Sequence, residues 1–134
     1  MIYIIDDDQN VRDGFMMLLK SAGYKCSSFE SAEEYLKNYE AGANDLLILD
    51  IHLNGMNGNS LLEYLVKKGL QLPVIIITAY DEQSSREAAK KYGALAYLRK
   101  PVDSAALIDL VKYNLDIQLP TNLNNSSQTK RSNV

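Results

Sequence analysis

The chain opens with an apolar run, Ile2-Tyr3-Ile4-Ile5, which stops at three consecutive carboxylates, Asp6-Asp7-Asp8. The run has the length and composition of a buried strand. Three neighbouring like charges repel one another, so their place directly after such a strand needs a cause. Either they cap the helix that follows, or they share a cation.

Length and composition fit one globular domain. The 134 residues have a hydrophobic content of 46%, a net charge of -3 and a pI of about 5.1. The single cysteine, Cys26, excludes an internal disulfide framework and favours a reducing compartment. The acidic balance argues against direct contact of this domain with nucleic acid. Because no apolar run is long enough to span a membrane and no signal-like segment opens the chain, we expect a soluble, cytoplasmic protein.

Five short apolar runs alternate with five longer stretches of helical periodicity. The runs at Leu46–Leu49 and Val74–Ile77 are apolar on both faces, which is typical of central strands in a parallel sheet covered by helices. The strict alternation predicts an α/β fold with a doubly wound sheet. After residue 119 the chain becomes polar. We therefore expect one domain over residues 1–119 and a flexible linker or tail over residues 120–134.

Polar residues stand at the carboxyl ends of four predicted strands. Strand one ends at Asp6 and Asp7, strand three at Asp50 and strand four at Thr78, and strand five is followed by Lys100. In an open parallel sheet these ends meet at one edge, where ligands bind. Three carboxylates, a hydroxyl and an ammonium are therefore predicted to converge there.

This set of groups suits Mg²⁺ and a phosphate-bearing substrate. Mg²⁺ prefers oxygen ligands, Lys100 would attract phosphoryl oxygens, and Thr78 would donate a hydrogen bond to them. The alternative is a set of unrelated local roles, in which the acids Asp6–Asp8 only cap a helix and Thr78 only packs. The agreement of four strand ends favours the shared site.

With these motifs the chain resembles the receiver domain of bacterial two-component response regulators, in particular receivers that precede helix-turn-helix DNA-binding domains. The resemblance covers roughly residues 1–119. It rests on IIDDD, LLILD ending in Asp50, the later Gly58, ITA around Thr78, and Lys100-Pro101. It implies a flavodoxin-like (βα)5 sandwich with a five-stranded parallel sheet of order 2-1-3-4-5.

The resemblance also implies a role for each acid. Asp50 is expected to accept a phosphoryl group from the phosphohistidine of a sensor histidine kinase. Asp7 and Asp50 are expected to ligate Mg²⁺ directly, Asp6 through a bound water, and His52 through its backbone carbonyl. The ring of His52 is an ordinary polar side chain in this interpretation.

Further implied roles concern the response to the phosphoryl group. Thr78 and Lys100 are expected to bind its oxygens, and Tyr97 to turn inward when Thr78 moves. Pro101 is expected to follow a cis peptide bond. The output would be a homodimer formed through the strand-five face, and control of transcription if a DNA-binding effector domain follows. We expect no enzyme activity beyond self-phosphorylation and slow self-dephosphorylation.

One departure and two alternatives remain at this point. Many receivers carry proline where this chain has Asn54, so the loop after Asp50 is expected to be more mobile. A magnesium-dependent aspartyl phosphatase would need a general acid two residues after its nucleophile, and His52 stands there instead. A degenerate receiver used only for protein contacts would lack Asp50, one acid of the pair, or Lys100, and all of them are present.

Overall fold

The computed structural model describes residues 1–39, 42 and 44–118, so the predicted linker at residues 120–134 lies outside the described residues. Strands and helices alternate along the chain. The elements are β1 (Ile2–Ile5), α1 (Gln9–Ser21), β2 (Cys26–Phe29), α2 (Ala32–Asn38), β3 (Leu46–Asp50), α3 (Gly58–Lys67), β4 (Val74–Thr78), α4 (Gln83–Lys91), β5 (Ala96–Arg99) and α5 (Ser104–Gln118).

The strands form one parallel sheet in the order β2-β1-β3-β4-β5, which confirms the predicted topology. Ile5 pairs with Leu49 of β3 and with Phe29 of β2. The chain therefore lays strands on both sides of β1, and the order of connection reverses between β1 and β3. In doubly wound sheets a ligand site lies at the carboxyl ends of the strands beside such a reversal.

Helices cover the sheet on both faces. One apolar cluster joins the sheet to α2, α3 and α4, through residues such as Tyr35, Leu61 and Ala89. A second cluster joins it to α1 and α5, through Leu19 and Leu107. Every residue of β3 and β4 is buried, which explains why their sequences are apolar without alternation.

Local signals in the sequence begin and end the helices. The Asp8 carboxylate caps α1 by accepting hydrogen bonds from the backbone N–H groups of Asn10 at 2.8 Å and Val11 at 3.4 Å. Gly23 follows α1 with a φ of 94°, a left-handed conformation that favours glycine. Of the three opening acids, Asp8 thus has the capping role, and it leaves Asp6 and Asp7 for the strand end. Over the described residues, the helices fall short of the length and apolarity that crossing a bilayer requires.

Candidate functional site

The predicted acids lie together at the carboxyl edge of the sheet. Asp6 and Asp7 follow β1, and Asp50 is the last residue of its neighbour β3. Each of the three offers a carboxylate oxygen within 4.8 Å of the others. Asp6 and Asp50 are buried, whereas Asp7 is exposed. The sheet therefore brings two buried carboxylates and an exposed one to a single position.

The ammonium of Lys100 bridges the two buried carboxylates. Its Nζ atom lies 2.8 Å from Asp6 Oδ2 and 3.1 Å from Asp50 Oδ2. The peptide bond between Lys100 and Pro101 is cis, and the backbone N–H of Lys100 donates to the carbonyl of Thr78 at 2.8 Å. The ends of β1, β3 and β5 are thus joined through one cation.

The charges of the site are only partly balanced. Burial, followed by the charge of Asp6, raises the pKa of Asp50, although the His52 N–H and the Lys100 ammonium oppose that rise. The N–H of His52 donates to Asp50 Oδ1 at 3.1 Å. Burial alone would lower the pKa of Lys100, but hydrogen bonds and charge from Asp6 and Asp50 outweigh it and raise that pKa. The site holds three carboxylates and one ammonium, so its remaining negative charge favours the binding of a further cation.

The donor set fits Mg²⁺. The three acids supply hard oxygen ligands, and an open position at the exposed Asp7 would leave room for the waters that Mg²⁺ keeps. The imidazole of His52 points to other partners: its Nε2 atom lies 3.5 Å from Glu82 Oε1, and its ring lies edge-on to Tyr80 at 5.1 Å. The ring therefore contacts Glu82 and Tyr80 rather than Asp6, Asp7 or Asp50, and metal ligation by the His52 carbonyl stays a prediction.

Thr78 and Tyr97 lie on neighbouring strands, β4 and β5. The buried hydroxyl of Thr78 donates to the carbonyl of Tyr80 at 3.0 Å and accepts from its N–H at 3.1 Å. Tyr97 packs against the cluster that includes α2, α3 and α4, and its hydroxyl is buried beside Asp81 and Glu82, although no contact to it among the described residues has full hydrogen-bond geometry. Burial raises the pKa of Tyr97. In this structure, Tyr97 is inward while the Thr78 hydroxyl is bonded to the loop after β4, and the order in which the two move stays a prediction.

Sequence reasoning missed Arg12. Its Nη1 atom donates to the backbone carbonyl of Asp6 at 2.7 Å, so the first turn of α1 holds the end of β1. The signal was a basic residue six positions after a site acid on a helix that starts at the site. Gly58 was noticed in the sequence, and the structure gives the reason for it. A Cβ atom there would lie 2.5 Å from the Asp50 carbonyl oxygen, a distance that only glycine avoids.

Fold and site together define a doubly wound α/β domain with a cluster of three acids and a lysine at the reversal of its strand order. The sequence model of the response regulator receiver domain matches residues 2–112, and the chain belongs to this family. The phosphatase alternative is not favoured by this finding.

Comparison with individual proteins agrees. The chain is 35% identical over 131 residues to the DNA-binding transcriptional regulator NtrC of Klebsiella pneumoniae, a match that covers 95% of this chain and 28% of NtrC. It superposes on the response regulator StyR with a TM-score of 0.80 and 32% identity, covering 87% of this chain and 59% of StyR. It superposes on a CheY-like receiver domain protein from Methanospirillum hungatei with a TM-score of 0.77 and 30% identity, covering 87% and 94% of the two chains. The chain thus spans little more than a quarter of NtrC and most of an isolated receiver.

Replacing Asp50 with Asn is expected to stabilise the Mg²⁺-free domain. Because the folded state raises the pKa of Asp50, this carboxyl favours folding below its ordinary pKa and loses that contribution as the pH rises through the raised value. At neutral pH the ionised group therefore costs stability. We expect Asp50→Asn to raise the Tm by several degrees, which corresponds to about 1 kcal/mol in a domain of this size.

Thermal melts in chelator at about pH 4, near the ordinary pKa of Asp, and at about pH 8 measure this effect, and the gain should be larger at the higher pH. Asp8→Asn is the matched control, because it removes the same charge from an exposed helix cap and keeps a capping side chain. A Tm that Asp50→Asn leaves unchanged or lowers at both pH values would contradict the electrostatic account of the site.

Proposed function

We propose that the chain is a phosphorylation-controlled switch in which Asp50 accepts a phosphoryl group from a sensor histidine kinase. One observation carries this proposal: a buried carboxylate with a raised pKa lies at a strand end beside Lys100 and two further acids. Groups with raised pKa values and crowded like charges are typical of functional sites, because placing such groups together costs folding stability. Membership of the receiver family supports the same role.

The proposed reaction is a direct transfer. An oxygen of the Asp50 carboxylate attacks phosphorus, the bond from phosphorus to the donor's imidazole nitrogen breaks, and its electron pair stays on that nitrogen. Lys100 is placed to bind a phosphoryl oxygen, and Thr78 to donate its hydroxyl to another. Asp6, Asp7, Asp50 and the carbonyl of His52 would hold Mg²⁺. When bound, Mg²⁺ neutralises charge between the carboxylates and the incoming phosphoryl oxygens.

The chain carries out no further chemistry in this proposal. A phosphatase would need a proton donor for its leaving group, and the position two residues after Asp50 holds His52, whose ring contacts Glu82 and Tyr80. The acyl phosphate would then decay only by slow self-dephosphorylation. We therefore propose a phosphoacceptor rather than an enzyme that turns over a substrate.

The switch follows from the charge that arrives. A phosphoryl group adds about two negative charges and three acceptor oxygens. Recruitment of the Thr78 hydroxyl would break both of its hydrogen bonds to Tyr80 and free the loop after β4. That loop precedes α4, and its residues Asp81 and Glu82 interact with Tyr97 of β5. A change in the loop would therefore alter the surface formed by α4, β5 and α5, called the β5 face below.

The remaining roles are proposed from the family and from the relatives. NtrC is a DNA-binding transcriptional regulator, so we propose that this receiver, over residues 1–119, controls a C-terminal DNA-binding effector domain through a linker at residues 120–134. The domain itself would make no contact with nucleic acid. We propose the cytoplasm as its site of action, where a sensor kinase would present its phosphohistidine.

Asp50 is expected to be the single phosphorylated residue. Acetyl phosphate with Mg²⁺ should add one phosphoryl group to the chain, visible by intact mass, and hydroxylamine should remove it because an acyl phosphate is cleaved by that nucleophile. Asp50→Asn should give no adduct. Asp8→Asn should be phosphorylated as the wild type is. A phosphoryl adduct on Asp50→Asn, labile to hydroxylamine or not, would contradict the assignment.

Phosphorylation is expected to favour a two-fold dimer through the β5 face. This face carries exposed charges of both signs, as a self-complementary surface requires. The residues are Arg86, Lys90, Lys91 and Arg99 with Glu87, Asp103 and Asp109. We expect the dimerisation constant to rise at least about tenfold on phosphorylation, a gain of about 1.4 kcal/mol.

Sedimentation of the phosphorylated and unphosphorylated chain measures this constant. Lys90→Glu should abolish the gain, and it is a cleaner change than one at Arg86, whose Nε atom pairs within the chain with Asp81 at 3.2 Å. Lys20→Glu is the matched control, because Lys20 also lies in the last turn of a helix but belongs to α1, which packs against β1 and β2, away from β5 in the strand order. A dimerisation constant that phosphorylation does not change, or a gain that persists in Lys90→Glu, would show that the output surface lies elsewhere.

A further inference from the structure

The loop between β3 and α3, residues 51–57, runs beside the candidate cation site. It is fixed at both ends. At its start the N–H of His52 donates to Asp50 Oδ1 at 3.1 Å. At its end the N–H of Gly58 donates to the carbonyl of Ile51 at 2.9 Å, and the backbone there is so close to Asp50 that no side chain fits. The N–H of Leu53, on the peptide that carries the His52 carbonyl, donates to the carbonyl of Ile51 at 3.1 Å. The direction of the His52 carbonyl therefore depends on this turn and on the segment that continues from it, residues 54–56.

A side chain from α2 holds the middle of the loop. The N–H of Met56 donates to Glu33 Oε2 at 2.8 Å, across 23 positions of sequence. Gly55 has a φ of 79°, and a Cβ atom on it would lie 2.6 Å from the same Glu33 oxygen. The loop is thus closely packed onto this carboxylate. Among the described residues, the bond from the Met56 N–H to Glu33 is the single hydrogen bond made by residues 54–56.

Glu33 is not needed to start its own helix. The hydroxyl of Ser31 caps α2 by accepting from the N–H of Glu34 at 3.0 Å, and the Glu34 carboxylate accepts from the N–H of Glu30 at 3.3 Å. The first contact is an N-cap hydrogen bond, and the second ties the residue before the cap to the first turn of α2. The Met56 N–H, and then its own backbone N–H, lower the pKa of Glu33, so the carboxylate stays ionised at neutral pH. Glu33 therefore offers a full negative charge to the loop, and Glu34 serves the helix.

We propose that Glu33 is a positioning residue for the cation site: by holding Met56 and Gly55 it keeps the β3–α3 loop, and with it the His52 carbonyl, in the conformation that binds Mg²⁺. This inference rests on the proposed function. The anchor matters in this chain because Asn54 leaves the loop without the fixed φ of a proline. Groups that orient a metal ligand without touching the metal contribute strongly to affinity.

A simpler role for Glu33 is the general stabilisation of a helix N-terminus by an acid in its first turn. The two roles separate in experiment. Loss of a helix-dipole contact lowers the stability of the domain and leaves its Mg²⁺ affinity unchanged. Loss of a loop anchor weakens Mg²⁺ binding in a domain that is still folded.

The test compares Glu33→Ala with Glu34→Ala in the full chain. Both remove one negative charge from the same turn, and only Glu33 touches the loop. The Mg²⁺ dissociation constant is measured from the Tm of the unphosphorylated chain during titration with MgCl₂. We expect Glu33→Ala to weaken binding about tenfold, at the lower end of what loss of an orienting group costs. Glu34→Ala should lower the Mg²⁺-free Tm and keep the wild-type dissociation constant.

Two further measurements complete the test. Glu33→Gln keeps an oxygen that accepts from Met56, so it should bind Mg²⁺ more tightly than Glu33→Ala. At saturating MgCl₂ the phosphorylation rate of Glu33→Ala with acetyl phosphate should return to the wild-type rate, because the chemical groups are intact. Equal Mg²⁺ constants for Glu33→Ala and Glu34→Ala would overturn the inference and leave the proposed function standing. Failure of the wild-type chain to bind Mg²⁺ would overturn both.

Discussion

The bridge from the Lys100 ammonium to Asp6 and Asp50 is the contact on which the rest of the site depends. It joins the carboxyl ends of three strands at 2.8 and 3.1 Å, and it permits two buried carboxylates to lie side by side. Either carboxylate left unpaired in this position would carry a large desolvation cost. The Lys100 bridge does not balance the negative charge of the site, because the pKa of Asp50 is still raised and Asp7 adds a further carboxylate. In the proposed function, a cation and a phosphoryl group would together balance the remaining negative charge.

Much of this arrangement could be predicted from the sequence, because a parallel sheet converts strand ends into neighbours. Asp50 and Thr78 end fully apolar strands, so their position at the edge follows from burial of the residues before them. The start of a helix is decided by caps such as Asp8, a local contact that the apolar periodicity does not show. The switch residues Thr78 and Tyr97 were named from a resemblance, and the sequence carried no sign that the Thr78 hydroxyl bonds to Tyr80.

Contacts between residues far apart in the chain could not be predicted from the sequence. Glu33 stands in a first helical turn where any acid is favourable, so nothing local distinguishes it from Glu34. Only the packing of α2 against the β3–α3 loop gives one of the two a partner. Arg12 is similar, since its bond to the Asp6 carbonyl depends on the angle at which α1 leaves β1. Both residues surround the acids without being part of the motif, and such supporting contacts set how precisely a metal site is held.

A crystal structure of the chain with Mg²⁺ and beryllium fluoride, a mimic of the phosphoryl group, tests the central claim most directly. The account predicts beryllium fluoride on Asp50 and Mg²⁺ on Asp7, Asp50 and the His52 carbonyl. It also predicts that Lys100 Nζ turns from the two carboxylates to a fluorine atom, and that the Thr78 hydroxyl leaves Tyr80 for another fluorine. Beryllium fluoride absent from Asp50, or a Lys100 that still bridges Asp6 and Asp50 at its present distances, would contradict it.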